Sequence, residues 1–162
     1  KTGRNIAKKQ VEKLGPTEPS PKLNRLVFKS YNRPWKHEPD GTGYEWLSRD
    51  KEEVKKYAAD PWCGFIVPAS FFIEMFTAFL RIWESENESR IPKDLPIYFL
   101  SGSLCAVSRQ LKDLEPLIER YNKMGIKDVK YKFYEDARHE IFNEINREEV
   151  FKDIINWLND HL

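Results

Sequence analysis

The sequence predicts an α/β fold whose parallel sheet is incomplete in this chain. Residues 95–101 form a continuous apolar run, as expected of a strand covered on both faces. Residues 129–134 alternate apolar or aromatic side chains with lysines, the period-two pattern of a half-exposed edge strand. Helical patterns over 107–124 and 147–160 follow these strands, and this alternation favours parallel pairing. Two strands cannot cover helices this apolar, so we expect further strands from outside the chain.

Composition excludes several classes of function. The 162 residues include 27 Lys and Arg against 26 Asp and Glu, and a net charge of +1 gives no general attraction to nucleic acid or anionic lipid. The two cysteines, Cys63 and Cys105, cannot build a disulfide framework and form no C-x-x-C metal pattern. The longest apolar run, over 67–83, is too short and too interrupted to be a transmembrane segment. We therefore expect a soluble, cytoplasmic protein without metal, cofactor or nucleic-acid partner.

The first part of the chain is predicted to be largely irregular. A short helix over 5–14 ends at Gly15, because the proline that follows disfavours a helical residue before it. Residues 15–45 are rich in proline and glycine, with one short helix near 23–28. So long an irregular stretch is typical of a lid or a binding loop.

Two helices are predicted after this segment. Asp50 and Glu53 form a capping-box pattern that begins the first helix. Pro68 begins the second, which runs to about Ser85 and is apolar around more than half of its circumference, so we expect burial on several sides. Its aromatic residues either pack in the core or line an acyl-chain site, and the candidates for substrate contact are Phe72, Phe76 and Phe79.

The next predicted helix, over 107–124, contains an irregularity. Pro116 lies inside the span, where proline kinks or breaks a helix, so we expect a distortion of its first half. Gly125 suits the position just after the helix end.

One histidine occupies a position typical of a functional site. His139 lies in a loop directly after the strand over 129–134, and open α/β sheets bind their ligands at the carboxyl ends of their strands. His37, in the proline-rich segment, and His161, near the end of the sequence, are weaker candidates. The Ser-Gly-Ser turn over 101–103 also follows a strand, but by itself it indicates no activity.

Several motifs distributed over the chain resemble one family. Residues 44–50 are Tyr-Glu-Trp-Leu-Ser-Arg-Asp and residues 60–65 are Asp-Pro-Trp-Cys-Gly-Phe. With 28–32 before them, they resemble the lid region of bacterial serine α/β-hydrolases of the lysophospholipase and monoacylglycerol-lipase type. Residues 95–102 and 134–144 resemble the last two core strands of that family with their loops. The resemblance covers essentially the whole chain and implies the C-terminal part of an α/β-hydrolase fold with a helical lid.

The resemblance also implies a domain organisation. Residues 1–66 would form a lid or cap, 67–90 an apolar helix that links it to the core, and 91–162 the last two β-α units. The family's N-terminal half supplies the Gly-x-Ser-x-Gly nucleophile elbow and the oxyanion hole. No serine of this chain fits that pattern, so we expect it to be inactive alone.

Two residues match catalytic positions of the family. His139 matches the base that takes the proton from the serine hydroxyl. Cys105, three residues after Gly102, falls where the family has its catalytic aspartate. A neutral thiol stabilises an imidazolium less well than a carboxylate does, so we expect Cys105 to be non-functional. A nucleophilic pair of Cys105 with His139 is a less favoured alternative.

Three functional hypotheses remain open. The chain is part of a carboxylic-ester hydrolase for monoacylglycerols, lysophospholipids or similar single-chain lipid esters, with its N-terminal half in the same longer chain or in a separate chain. Alternatively, it is a degenerate, non-catalytic remnant that binds a partner or self-associates through exposed apolar surface. A standalone α/β binding domain would require a complete sheet from this chain alone.

Overall fold

The structure, a computed structural model, describes residues 2–162. Within that range the chain forms seven α-helices, two β-strands and two 3-10 helices. The α-helices are α1 (Thr2–Leu14), α2 (Pro21–Phe28), α3 (Lys51–Ala59), α4 (Ala69–Ile82), α5 (Ser85–Ser89), α6 (Leu114–Lys123) and α7 (Arg147–Asn159). The strands are β1 (Ile97–Gly102) and β2 (Val129–Tyr134), and the 3-10 helices are Arg33–Trp35 and Ile141–Asn143.

These elements form two compact units. The first contains the chain up to Ser30 together with Gly64–Ile91, and thus α1, α2, α4 and α5. The second contains Tyr31–Cys63 and Pro92–Leu162, and thus α3, both strands, α6 and α7. The predicted division into 1–66, 67–90 and 91–162, with the role of 1–66 as a lid, stays a prediction.

The first unit is held together by a small apolar core between α1, α2 and α4. Ala7, Leu23, Ala69 and Phe72 have no exposed surface and contact one another. α2 begins at Pro21, where Ser20 caps its N-terminus: the Ser20 hydroxyl accepts a hydrogen bond from the Leu23 N–H at 3.4 Å. This short cap and the shared core position α2 beside the two longer helices.

Within this unit α4 is less buried than its composition predicts. Phe71 and Phe79 are 49% and 52% exposed, so the expectation of burial on several sides is wrong for the chain as described. The helix ends at Ile82, earlier than expected. Phe72 lies in the core and Phe76 packs against it, while contact of Phe72, Phe76 and Phe79 with an acyl chain stays a prediction.

No helix in residues 2–162 combines the length and hydropathy needed to cross a bilayer.

In the second unit β1 and β2 form the expected parallel pair. The register runs from Ile97 opposite Val129 to Gly102 opposite Tyr134. β1 is buried only at its carboxyl end, at Ser101 and Gly102, and its other residues are half-buried. The predicted cover on both faces is therefore incomplete within residues 2–162. Each strand also has a single partner there, so one edge of each strand is unpaired.

The helix predicted over 107–124 begins seven residues later than expected. Arg109, Gln110 and Leu111 adopt left-handed backbone conformations, with φ of 51°, 52° and 68°, which a right-handed helix does not accommodate. α6 starts at Leu114, so Pro116 lies in its first turn, where its missing N–H leaves no helical hydrogen bond unmade. Gly125 has a φ of +81° just after the helix, as its position predicts.

Replacing Phe72 by alanine should destabilise the first unit strongly. Phe72 is fully buried, so its loss leaves a cavity, and Phe→Ala in a core costs about 3–5 kcal/mol. Phe79→Ala, on the same helix but half exposed, is the matched control and should cost about 1 kcal/mol or less. Urea unfolding followed by circular dichroism measures both, and equal losses would contradict the core described here.

His161 should make stability depend on pH. Its Nε2 lies 2.7 Å from an oxygen of Asp128 and its Nδ1 lies 2.5 Å from the Trp157 carbonyl oxygen, and both hydrogen bonds raise the pKa of His161. Because the pKa is raised in the folded state, protonated His161 stabilises the fold. This stabilisation is complete below the ordinary histidine pKa of about 6.5 and is lost as the pH rises through the pKa of His161 in the folded protein.

The comparison of wild type with His161→Ala tests this linkage. The melting temperature of wild type should exceed that of the variant by more at pH 5.5 than at pH 8.5. Asp128→Asn removes the carboxylate partner and should reduce the same pH-dependent difference. A difference that is equal at the two pH values would show that protonation of His161 does not stabilise the fold.

Candidate active site

The carboxyl ends of β1 and β2 meet at a close backbone contact. A Cβ atom on Gly102 would lie 2.1 Å from the carbonyl oxygens of Ala137 and Arg138, so only glycine fits there without moving the loop. The Leu104 N–H donates to the Ala137 carbonyl oxygen at 2.9 Å. This contact places the turn after β1 directly against the loop after β2.

That contact brings Cys105 and His139 together. The sulfur of Cys105 lies 3.3 Å from Nδ1 of His139, within hydrogen-bond reach for sulfur. Cys105 is buried, with 4% of its surface exposed, whereas His139 is exposed. The two residues that the sequence assigned to the base and acid positions are therefore direct neighbours, with the sulfur on the inner side of the imidazole.

The segment predicted as part of the lid packs against the His139 loop in the same unit. The ring of Trp46 stacks on the ring of His139, with a centroid separation of 5.2 Å and an angle of 30°. The Glu140 N–H donates to the Leu47 carbonyl oxygen at 2.7 Å, and the His139 N–H lies 3.4 Å from the Trp46 carbonyl oxygen. Residues 46–47 thus support one face of the imidazole and fix the backbone that carries it.

A buried carboxylate connects these two segments. Glu144 has no exposed surface, and its Oε1 accepts from the Arg138 N–H at 2.7 Å and from the Arg49 N–H at 3.1 Å. Its Oε2 accepts from Nε of Arg49 at 2.9 Å and from the Ile145 N–H at 3.1 Å. Four donors around one buried carboxylate satisfy its charge and fix the loop on both sides of His139.

Arg138 adds a second buried connection. Its guanidinium donates to the carbonyl oxygens of Glu45 at 2.6 Å and Ser48 at 3.1 Å, and it forms an ion pair with Glu38. The guanidinium also lies over the ring of Trp35, 4.6 Å from its centroid. Because Arg138 precedes His139 directly, these contacts restrict where the imidazole can lie.

The electrostatic state of Cys105 reflects opposing influences. Burial acts to raise the pKa of its thiol, but hydrogen bonds from His139 and Ser108 outweigh that effect and lower the pKa to about 7. The pKa of the Tyr31 hydroxyl is raised, mainly by burial and secondly by the charge of Cys105. Tyr31 therefore lies within electrostatic range of the sulfur. A lowered pKa and a histidine neighbour are features of functional cysteines.

The other candidates do not join this pair. His37 lies exposed in the irregular segment, and His161 contacts Asp128 and Trp157 instead. Ser103 accepts a hydrogen bond from the Asp136 N–H at 2.9 Å, which is a structural role. In the described part of the chain no three His, Cys, Asp or Glu side chains form a group that could hold a metal ion.

Sequence reasoning missed three residues that build the site. The sequence showed Gly102 only as part of a common Ser-Gly-Ser turn. No pattern indicated that the loop after β2 packs where a side chain at this position would lie. The sequence patterns assigned no role to Arg138 or Glu144. One signal was present for Glu144, since it lies among Ile141, Phe142 and Ile145, where an acidic residue is unusual unless it is paired.

Removing the Glu144 carboxylate should destabilise the second unit. Glu144→Ala leaves the buried N–H groups of Arg138 and Arg49 unpaired, and breaking a buried ion pair costs about 3–5 kcal/mol. Glu148→Ala, at an exposed position in α7, is the matched control and should cost about 0.5 kcal/mol. Chemical unfolding of the two variants measures the difference, and a cost for Glu144 no larger than the control's would contradict this role.

The fold is shared with solved hydrolases. A highly thermostable carboxyl esterase from Bacillus coagulans, solved with glycerol, is 22% identical with a TM-score of 0.81 over 98% of this chain and 51% of that chain. A monoacylglycerol lipase of Paleococcus ferrophilus is 20% identical with a TM-score of 0.58, over 98% of this chain and 64% of that chain. The chain thus spans about half the length of the esterase, and at these identities the likeness shows the fold alone.

This likeness confirms the predicted fold class. A soluble variant of monoglyceride lipase from Saccharomyces cerevisiae, solved with a substrate analogue, gives a TM-score of 0.59 at 18% identity over 99% of this chain and 61% of that chain. Residues 9–146 match the family described as serine aminopeptidase, S33. That span includes β1, β2, Cys105 and His139. The chain belongs to this family of α/β-hydrolases.

Proposed function

We propose that the chain is the C-terminal part of a serine carboxylic-ester hydrolase and that His139 is its general base. The observation that carries the proposal is the setting of His139, exposed at the carboxyl end of β2, with Nδ1 engaged by Cys105 and one ring face on Trp46. An imidazole held through Nδ1 presents Nε2 outward, the nitrogen that takes the serine proton in triad hydrolases.

The proposed substrates are esters with one acyl chain, such as monoacylglycerols or lysophospholipids. Support comes from the fold shared with an esterase and two monoacylglycerol lipases, and from the resemblance of residues 44–50 and 60–65 to lysophospholipase sequences. The exposed Phe79 and the half-buried Phe76 of α4 offer apolar surface to an acyl chain, which is the role proposed for them. Phe72, the third candidate, has no exposed surface and packs in the core instead.

The proposed partner is a polypeptide segment that contains the nucleophile elbow, in the same longer chain or in a separate chain. Within residues 2–162, β1 and β2 pair only with each other, so one edge of each strand is available for another strand. Tyr131 and Ile155 are 59% and 55% exposed, as expected of surface that other elements would cover.

One observation favours a second candidate function. A cysteine at the family's acid position is compatible with a remnant that has lost catalysis and serves as a binding or interaction module. In that case the exposed apolar surface would mediate partner binding or self-association.

The decisive experiment supplies the missing half. This chain is co-expressed with a tagged N-terminal hydrolase half that carries the Gly-x-Ser-x-Gly segment, and the purified complex is assayed with p-nitrophenyl butyrate and monooleoylglycerol. We expect hydrolysis that His139→Ala lowers by about 10³-fold or more, since the base is removed. His37→Ala, at an exposed histidine, is the matched control and should leave the rate within twofold.

Two results would reject the proposal. Hydrolysis that survives His139→Ala would exclude this residue as the base. A stable complex without activity, both with Cys105 and with Cys105→Asp, would favour the binding module instead.

A further inference from the structure

The neighbour of His139 on its Nδ1 side is a cysteine whose surroundings favour the thiolate. The sulfur of Cys105 and Nδ1 of His139 are 3.3 Å apart, and Cys105 is 4% exposed. Hydrogen bonds from His139 and Ser108 oppose the effect of burial and lower the pKa of the thiol to about 7. The thiolate is therefore favoured although the sulfur is buried.

The turn after β1 folds back onto the backbone of Cys105. The Gln110 N–H donates to the Cys105 carbonyl oxygen at 2.9 Å, and the Ser108 hydroxyl lies 3.3 Å from the same oxygen. The left-handed residues at 109–111 fold the chain back over Cys105, which a continuous helix from residue 107 could not do. The segment that was expected to be helical is thus the segment that holds the backbone of Cys105.

The burial of the sulfur argues against Cys105 as the attacking nucleophile. Only 4% of Cys105 is exposed, whereas His139 is exposed. No hydrogen bond to Nε2 is made within residues 2–162. A substrate that approached from solvent would meet the imidazole before the sulfur, so the sulfur is placed to act on His139 and not on an ester.

We propose that Cys105 is a positioning residue that replaces the carboxylate of the serine-hydrolase triad, its sulfur fixing the tautomer and orientation of His139. This inference rests on the proposed function of His139 as the base. The anionic sulfur accepts a hydrogen bond from the Nδ1–H, so the proton stays on Nδ1 and the lone pair of Nε2 is free for the serine proton. After that transfer the imidazolium lies beside the thiolate, and the proton passes from Nε2 to the leaving alcohol.

The protonation state of the sulfur decides whether this arrangement works. A neutral thiol donates a hydrogen bond from its S–H to Nδ1, so the ring hydrogen lies on Nε2 and the base cannot accept a proton from serine. With its pKa lowered to about 7, Cys105 ionises in the neutral pH range. The titratable groups that face it are His139 from the loop after β2 and Tyr31 from the segment before the first 3-10 helix. Activity should therefore rise with pH as Cys105 ionises.

The first test needs no partner half and no activity. In a Cys63→Ser background, thiolate absorbance at 240 nm is followed against pH in the 162-residue chain. We expect a midpoint of about 7 that His139→Asn raises by about one pH unit or more, because an important donor and charge are lost. His37→Asn is the matched control and should not move it. A midpoint that His139→Asn leaves unchanged would overturn the proposal.

The second test uses the complemented hydrolase. Cys105→Ala should lower kcat by about 100-fold or more with KM within threefold, against about 10⁴-fold for loss of a triad carboxylate. Cys105→Asp should recover kcat and move the acidic limb of its pH profile to lower pH, since aspartate ionises near pH 4. Cys63→Ser should stay within twofold. Full kcat in Cys105→Ala, or no recovery with aspartate, would overturn the proposal.

The two tests distinguish a failure of the proposed hydrolase function from a failure of the role proposed for Cys105. If the complemented wild type does not hydrolyse esters, the proposed function fails, and the thiolate titration still decides whether Cys105 and His139 act as a pair. If the complex is active but the titration shows no coupling, the hydrolase function stands and the role of Cys105 is rejected.

Discussion

The buried carboxylate of Glu144 is the interaction on which the arrangement of the second unit depends. It accepts hydrogen bonds from the backbone on both sides of His139 and from the side chain of Arg49, which belongs to a segment more than ninety residues earlier in the chain. A buried charge is tolerated only when it is fully paired, so each of these donors must stay in place. The positions of His139 and of the stretch around Trp46 are thereby coupled.

The second constraint is steric. Gly102 lets the end of β1 approach the carbonyl oxygens of Ala137 and Arg138 more closely than any other residue would. Parallel strands of equal length deliver their carboxyl ends to one edge, but they do not by themselves bring two loop side chains into contact. Because Gly102 has no Cβ, the two loops approach closely enough for the sulfur of Cys105 to reach Nδ1 of His139.

The chain also has surface that its own elements leave uncovered. β1 is buried only at its carboxyl end, and α4 exposes about half of each of Phe71 and Phe79. In an α/β-hydrolase, the central sheet is wider than two strands, and the chain spans about half the length of the solved esterase that shares its fold. The proposed N-terminal half would supply strands to pair with the open strand edges and surface to cover the exposed aromatic residues.

The sequence by itself determined the fold class, the two strands and their parallel pairing, most helix positions, and the loop that holds His139, because these depend on local periodicity and on breaker residues. It placed a helix over 107–113, where three left-handed residues form a turn instead, since helical periodicity does not report the hydrogen bonds that enclose Cys105. It also treated Cys105 as a neutral thiol. Only the tertiary structure decided that Glu144, Arg138 and Gly102 build the site, and that His139 and Ser108 lower the pKa of Cys105, because these effects arise between segments far apart in the chain.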